Sequence, residues 1–117
     1  MIFISIGGQN GDSYSVEDIK KGILKYSKID DRGRQSVKRI AYNDTALSAF
    51  EQALLNINAN GWQAYYANTS TVDGTNWRIK IGTERLNIHS GGRNAYPDGF
   101  DEFLKATRDL LGGLSFE

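Results

Sequence analysis

The chain lacks cysteine entirely among its 117 residues. Disulfides, thiolate metal sites and a cysteine nucleophile are therefore excluded, and sulfur usage says nothing about the compartment. Histidine and proline each occur once, as His89 and Pro97. A metal site needs three or four ligands, and a single histidine without cysteines does not indicate such a site. The sequence predicts no metal site and no cofactor.

Long hydrophobic runs are also absent. The longest purely apolar run lies within "MIFISI" at residues 1–6, and no basic leader precedes it. This run is too short for a membrane span or for the core of a secretory signal. We therefore expect a cytoplasmic protein with no membrane contact.

The sequence has no excess of either charge, since 14 basic residues balance 14 acidic ones. A net charge of zero gives no indication of a nucleic-acid-binding protein. A hydrophobic fraction of 39% is typical of a globular domain. A length of 117 residues fits one domain, so we expect residues 1–117 to fold as a single unit. Any partner must be inferred from local clusters of residues.

The hydrophobic pattern predicts an α+β fold in the order strand, helix, strand, helix, three strands, helix. We expect a mixed, mostly antiparallel sheet of five to six strands packed by three helices. Polar loops are predicted over 7–13 and 69–76. The predicted strands cover 1–6, 36–42, 62–68, 77–81 and 84–89, and the predicted helices cover 13–29, 43–61 and 99–114.

The first helix is predicted from apolar residues at helical spacing, with Ser15 as its N-cap. The second is predicted to begin at Asn43 or Asp44 and to stop at Asn60 and Gly61. Asp98 is the predicted N-cap of the third helix, and Gly112 and Gly113 are its predicted stop. The apolar positions of the first helix are Val16, Ile19, Ile23 and Tyr26.

The two strands of 77–89 are separated by Gly82 and Thr83, which is typical of a two-residue type II′ hairpin. That turn places Lys80 opposite Arg85 and directs one set of alternating side chains into the core. The predicted core set is Trp77, Ile79, Leu86 and Ile88, and the predicted outward set is Arg78, Lys80, Arg85, Asn87 and His89.

A like-charge pair across a hairpin costs stability, so the cations invite a functional explanation. With Arg93 just beyond the strand, they form a predicted electropositive surface for an acidic protein patch, a phosphate or a nucleic acid. The alternative is a solvated face, or one neutralised by the acidic C-terminal helix. The predicted partner-binding residues are Arg78, Lys80, Arg85, His89, Arg93 and Tyr96.

The stretch "SGGRN" at 90–94 follows the last predicted strand. Gly91 and Gly92 favour a simple chain reversal, and the alternative is a nest of backbone amides that binds an anion. The lysine and hydroxyl residues of a phosphate-binding loop are missing. His89 is predicted to point outward, where it is either a surface residue, a proton-transfer group or a ligand.

The hairpin "WRIKIGTERLNIH" resembles the "FGxxxINLH" hairpin of the glyoxalase or vicinal oxygen chelate superfamily, and "YNDTALSAF" resembles that family's helix entry. Residues 37–89 are predicted to follow the family's order of strand, helix and three strands. The resemblance implies a curved half-barrel, with His89 as the only position that carries over as a metal ligand. Members pair two modules around a metal held by His and Glu, whereas 36–42 holds no histidine.

No set of residues makes a convincing catalytic site, so we predict a small non-enzymatic binding module of the inhibitor, immunity or sequestering type. It would engage an acidic protein surface through the basic face of the 77–89 hairpin and the loop after it. The alternative is a protein or enzyme that binds a nucleotide or a small anion with His89 and residues 90–94. A third hypothesis is a subunit of an assembly, with homo-oligomers formed through the alanine-rich side of the second helix.

Overall fold

A computed structural model describes residues 1–8, 11–68 and 74–117 and contains seven strands and two α-helices. The predicted α+β class is confirmed, but the described ranges hold seven strands instead of five to six and two α-helices instead of three. Residues 9–10 and 69–73 of the two predicted loops lie outside the described ranges. The strands are β1 (Ile2–Gly8), β2 (Ser13–Lys20), β3 (Ile23–Ile29), β4 (Gln35–Ala41), β5 (Tyr66–Ala67), β6 (Thr75–Gly82) and β7 (Asn87–Arg93).

All seven strands form one sheet in the order β4-β3-β2-β1-β6-β7-β5. Neighbours are antiparallel except β5 and β7, which run parallel, so the prediction of a mixed, mostly antiparallel sheet is confirmed. β1 lies at the centre because Ile2, Ile4 and Ile6 alternate with smaller or partly exposed residues. Side chains of period two place these three isoleucines on one face of the sheet.

That face is covered by α1 (Asp44–Asn56) and α2 (Phe100–Leu110), which pack on it side by side. Phe50 and Leu54 of α1, with Phe103 and Leu110 of α2, join the strand isoleucines in one buried cluster. A single 3₁₀ turn spans Ala59–Gly61 between α1 and β5. The fold is therefore a two-layer arrangement, with both helices on one side of the sheet.

The predicted first helix is wrong, since residues 13–29 form the antiparallel hairpin of β2 and β3. Tyr14 and Val16 of β2 and Leu24 and Tyr26 of β3 are buried at a spacing of two. Gly22 occupies the turn with φ of +84°, a conformation that glycine adopts without strain. Ser15 lies inside β2 and caps no helix.

The boundaries of the two helices agree with the prediction at two of the four ends. Asn43 is confirmed as the N-cap of α1, since its side chain accepts a hydrogen bond of 2.8 Å from the amide of Ala46. Asp98 is wrong as the cap of α2, because Gly99 holds that position with φ of +87°. Gly112 and Gly113 do end α2, and their amides donate to the carbonyls of Asp109 and Arg108.

Two further boundaries differ from prediction. α1 ends at Asn56, and the chain then passes through the 3₁₀ turn that contains Asn60 and Gly61. Of the strand predicted over 62–68, only Tyr66 and Ala67 pair with β7. No helix in the described ranges has the length and apolar character needed to cross a membrane.

Candidate binding surface on the open face of the sheet

The face of the sheet opposite the helices carries a band of polar and basic side chains across β1, β2, β3, β4, β6 and β7. We call this the open face. Ser5 pairs with Ser15 of β2 and with Arg78 of β6, and Phe3 pairs with Glu17 and Lys80. Strand pairing therefore sets small residues in the middle of the face. The charged residues that project from it are Glu17, Lys25, Arg39, Arg78, Lys80, His89 and Arg93.

The hairpin of β6 and β7 does not have the predicted turn. Residues 83–86 connect the strands, Gly82 pairs with Asn87, and Lys80 lies opposite His89 rather than Arg85. The predicted like-charge pair is therefore wrong. Trp77, Ile79 and Ile88 nevertheless point into the core as predicted.

Four of the predicted contact residues share the open face. Arg78 and Lys80 alternate with buried residues of β6, and His89 and Arg93 do the same on β7. All four are exposed. The sequence therefore predicted correctly that this part of the hairpin places its cations together.

Arg85 and Tyr96 lie elsewhere. Arg85 is in the 83–86 connection, and its guanidinium donates a hydrogen bond of 2.5 Å to the side-chain oxygen of Gln52 on α1. The ring of Tyr96 stacks on Trp77 with centroids 6.5 Å apart, and Trp77 belongs to the helix side of the sheet. Their placement with Arg78 on one surface is wrong.

Residues 90–93 belong to β7 rather than to a loop. The hydroxyl of Ser90 is turned inward and donates to the carbonyl of Gln63 at 2.6 Å. The amide of Gly91 donates to the carbonyl of Ala64 at 3.1 Å. The chain reversal predicted at Gly91 and Gly92 is therefore wrong, and because these donors are already used within the chain, the alternative of an anion-binding nest is not formed there either.

A shallow concavity of about 470 Å³ lies on the open face above β1, β6 and β7. Arg78, Lys80 and His89 line it, and Ser5 and Gly91 contribute small residues. A second concavity of about 670 Å³ extends toward β4 and shares Ser5 and Asn76 with the first. The two concavities therefore adjoin at Ser5 and Asn76, beside Phe3 of the central strand.

The acidic C-terminal helix does not neutralise these cations. Trp77 contacts Phe100 of α2 at a centroid distance of 4.8 Å, whereas Arg78 projects from the opposite face. On α2, Asp109 pairs with Lys105 at 3.0 Å. Neither Arg78 nor Lys80 forms an ion pair within the described residues. The alternative of internal neutralisation by α2 is therefore wrong.

The contact between Glu51 and Thr83 was not predicted from the sequence. Glu51 of α1 is buried and accepts a hydrogen bond of 2.6 Å from the hydroxyl of Thr83, which itself accepts from the amide of Leu86 at 3.1 Å. This contact fixes the 83–86 connection against α1. A glutamate on the polar side of a predicted helix gives no signal for such a role.

Comparison of the chain with protein-family models and with curated proteins finds no match.

Proposed function

We propose that the chain is a non-enzymatic binding module that engages an acidic surface of a protein partner through the open face. The observation that carries the proposal is the position of Arg78 and Lys80. Both are exposed on a sheet face that no other described element covers, and neither pairs with an acid in the described ranges. Such cations are available to a partner without the loss of an internal ion pair.

The centre of the open face favours close approach. Ser5 and Ser15 carry small side chains and are half-buried, so a partner's short acidic side chains can approach the sheet there. In the part of the chain that the structure describes, Lys25, Arg39, Arg78 and Lys80 surround them with one carboxylate, that of Glu17. Exposed charges of one sign mainly accelerate association and select the partner, and they do so less at high salt.

Two double variants test the proposal. Arg78→Glu/Lys80→Glu reverses the charge of the open face, and Lys21→Glu/Lys105→Glu makes the same change in net charge at residues that line neither concavity. Tagged wild type and both variants serve as bait in parallel pull-downs, which mass spectrometry quantifies. We expect acidic proteins that the wild type and the control variant retain and that the open-face variant loses. Equal capture by all three would contradict the proposal.

A second candidate is a phosphate-bearing small molecule in the concavity of about 470 Å³, where Arg78, Lys80 and His89 converge. In this candidate site His89 contacts the ligand, as in the predicted alternative, but the backbone amides of residues 90–94 do not. Nucleotides should then raise the melting temperature where equal ionic strength of sodium chloride does not. No shift with nucleoside mono-, di- or triphosphates would exclude it.

The resemblance to the glyoxalase superfamily stays a prediction. The described residues between 35 and 93 form a strand, a helix and three further strands in that order, with the 3₁₀ turn after the helix. Within the described ranges, His89 belongs to no group of three or more potential metal ligands. We therefore derive no metal chemistry from the resemblance.

A further inference from the structure

On the helix side of the sheet, four aromatic rings contact Trp77, and Phe100 is the nearest at a centroid distance of 4.8 Å. Tyr66 stacks on Trp77 at a centroid distance of 6.0 Å, Tyr96 at 6.5 Å, and Trp62 meets it edge-on at 6.3 Å. Among the described residues, no ring contact joins Trp62, Tyr66 and Tyr96 to one another. Phe100 contacts both Trp62 and Tyr96, so these rings belong to one aromatic cluster.

Trp62, Tyr66 and Tyr96 line a cleft of about 490 Å³, which we call the aromatic cleft. Its size suits a small organic group, and Tyr96 is exposed over 46% of its surface at the entrance. The cleft lies on the face opposite Arg78 and Lys80. Its lining residues are Ile57, Asn58, Gly61, Trp62, Tyr66, Tyr96, Pro97 and Asp98.

The rings are held in place before any ligand arrives. The hydroxyl of Tyr66 accepts a hydrogen bond of 2.9 Å from the amide of Gln63. The indole of Trp77 donates to the carbonyl of Ala95 at 2.9 Å, which fixes the segment that carries Tyr96. Pro97 is buried and limits the backbone there. A preorganised site loses little conformational entropy on binding.

The charge around the aromatic cleft is negative. Asp98 lines it, and because Gly99 is the N-cap of α2, the carboxylate of Asp98 is not used as a cap. Asp98 is exposed and forms no hydrogen bond or ion pair within the described ranges. An adjoining cleft of about 450 Å³ shares Tyr96, Pro97 and Asp98 and adds three more acids, Asp101, Glu102 and Glu117. No lysine or arginine lines either cleft.

We infer that the aromatic cleft binds an alkylated ammonium group, such as a quaternary amine or a methylated lysine side chain. Aromatic faces attract cations through their quadrupole, and methylated ammonium groups leave water more readily than a free ammonium does. Asp98 adds a carboxylate at the rim, where a cation is favoured over a neutral group of the same shape. Apolar contact with Ile57 and Pro97 suits the methyl groups.

Choline and its neutral isostere 3,3-dimethylbutan-1-ol separate charge recognition from simple apolar filling. Each is titrated into the full chain while the indole NH signals of Trp62 and Trp77 are followed by NMR, with sodium chloride at equal ionic strength as the blank. We expect saturable shifts with choline and binding of the isostere that is weaker by roughly fivefold or more. Equal binding of the two ligands, or no shift at about 100 mM choline, would overturn the inference.

Variants locate the site. Tyr96→Leu and Asp98→Asn should each weaken choline binding by roughly threefold or more, and Tyr96→Phe should retain most of it because the ring remains. Tyr65→Leu is the control, since Tyr65 is an exposed tyrosine outside the cleft. Near-ultraviolet circular dichroism checks that each variant is folded. Choline binding that survives both Tyr96→Leu and Asp98→Asn in folded protein would contradict the site.

This inference is independent of the proposed function. Arg78→Glu/Lys80→Glu alters the other face of the sheet and should leave choline binding unchanged. Tyr96→Leu should leave capture of acidic proteins by the open face unchanged. Failure of one proposal is therefore distinguishable from failure of the other.

Discussion

Gly92 lies where β7 passes close to the indole of Trp77. A Cβ atom added there would lie 2.6 Å from the Nε1 atom of Trp77 and 2.7 Å from the carbonyl oxygen of Ala95. Those two atoms are hydrogen-bonded to each other, so neither can move without breaking the contact. We expect Gly92→Ala to lower the free energy of unfolding by about 1–3 kcal/mol in urea titrations.

Gly82→Ala is the matched control for this prediction. Gly82 also lies in a strand of the hairpin, but a Cβ atom there would meet nothing within 4 Å. The same substitution should be neutral or stabilising by a few tenths of a kcal/mol, because alanine restricts the unfolded chain. Equal losses at Gly82 and Gly92 would show that the indole is not packed against β7.

Tyr26 provides a prediction for alkaline pH. Its ring is buried, and its hydroxyl donates a hydrogen bond of 2.7 Å to the carbonyl of Ser115. Burial raises the pKa of Tyr26 above the ordinary value of 10.0, although the nearby Lys28 works in the opposite direction. Folding therefore favours the neutral phenol.

The sign of the effect follows from that direction. The contribution of Tyr26 to stability is fully present below about pH 10 and is lost as the pH rises through the pKa of the folded state. The free energy of unfolding should fall more steeply above about pH 10 in the wild type than in Tyr26→Phe. Urea titrations from about pH 9 to about pH 11 measure this, with the exposed Tyr65→Phe as the control. Parallel curves for wild type and Tyr26→Phe would exclude the effect.

Side-chain partners were the features least accessible from the sequence. Asp98 has the residue type of an N-cap, yet the left-handed backbone at Gly99 places the start of α2 one residue later. Glu51 has the residue type of a solvated helix position, yet it is buried against Thr83. Both outcomes depend on how distant segments meet, which no local pattern encodes.

At the scale of elements, Gly22 tests the hairpin that replaces the predicted first helix. Its φ of +84° costs an L-residue about 1–2 kcal/mol, and the nearest atom to an added Cβ is the Tyr42 carbonyl oxygen at an ordinary 3.5 Å. We expect Gly22→Ala to destabilise by about 1–2 kcal/mol and Gly22→Asn by less, since asparagine tolerates this conformation. A stabilising Gly22→Ala, as inside a helix, would contradict the hairpin.

The helix was predicted because Val16, Ile19, Ile23 and Tyr26 fit a helical repeat. The same segment also fits two strands, with buried residues at 14, 16, 24 and 26 and a glycine at the turn. Ile19 is exposed over 43% of its surface, so it was not part of a buried stripe. A segment of this length satisfies both periods, and the pairing of β2 with the central strand β1 decides between them.

The hairpin of β6 and β7 shows why a wrong turn still gave the correct faces. The partner of Lys80 is His89 rather than Arg85, a displacement of four residues along β7. Because side chains alternate with period two, an even displacement keeps each strand residue on its predicted face. Of the predicted outward residues, only Arg85 changed place, since the longer connection removed it from the strand.

At the scale of the whole molecule, a net charge of zero conceals an uneven distribution. Among the described residues, the open face carries Lys25, Arg39, Arg78 and Lys80 with one acid, Glu17, whereas the charged residues that line the clefts beside α2 are all acids. Composition reports the sum, and only the topology of the sheet assigns each charge to a side. The sequence therefore predicted the hairpin cations of the candidate surface. It did not predict Lys25 and Arg39 of β3 and β4, because only the strand order places them on the same face.

The central claim is that the open face is where an acidic partner binds. Poly-L-glutamate titrated into the ¹⁵N-labelled chain tests it directly, with amide shifts followed at low salt. The account predicts shifts that cluster at Ser5, Arg78, Lys80 and His89, fade as salt is added and vanish in Arg78→Glu/Lys80→Glu. Shifts that cluster on α2, or that persist unchanged in that variant, would contradict it.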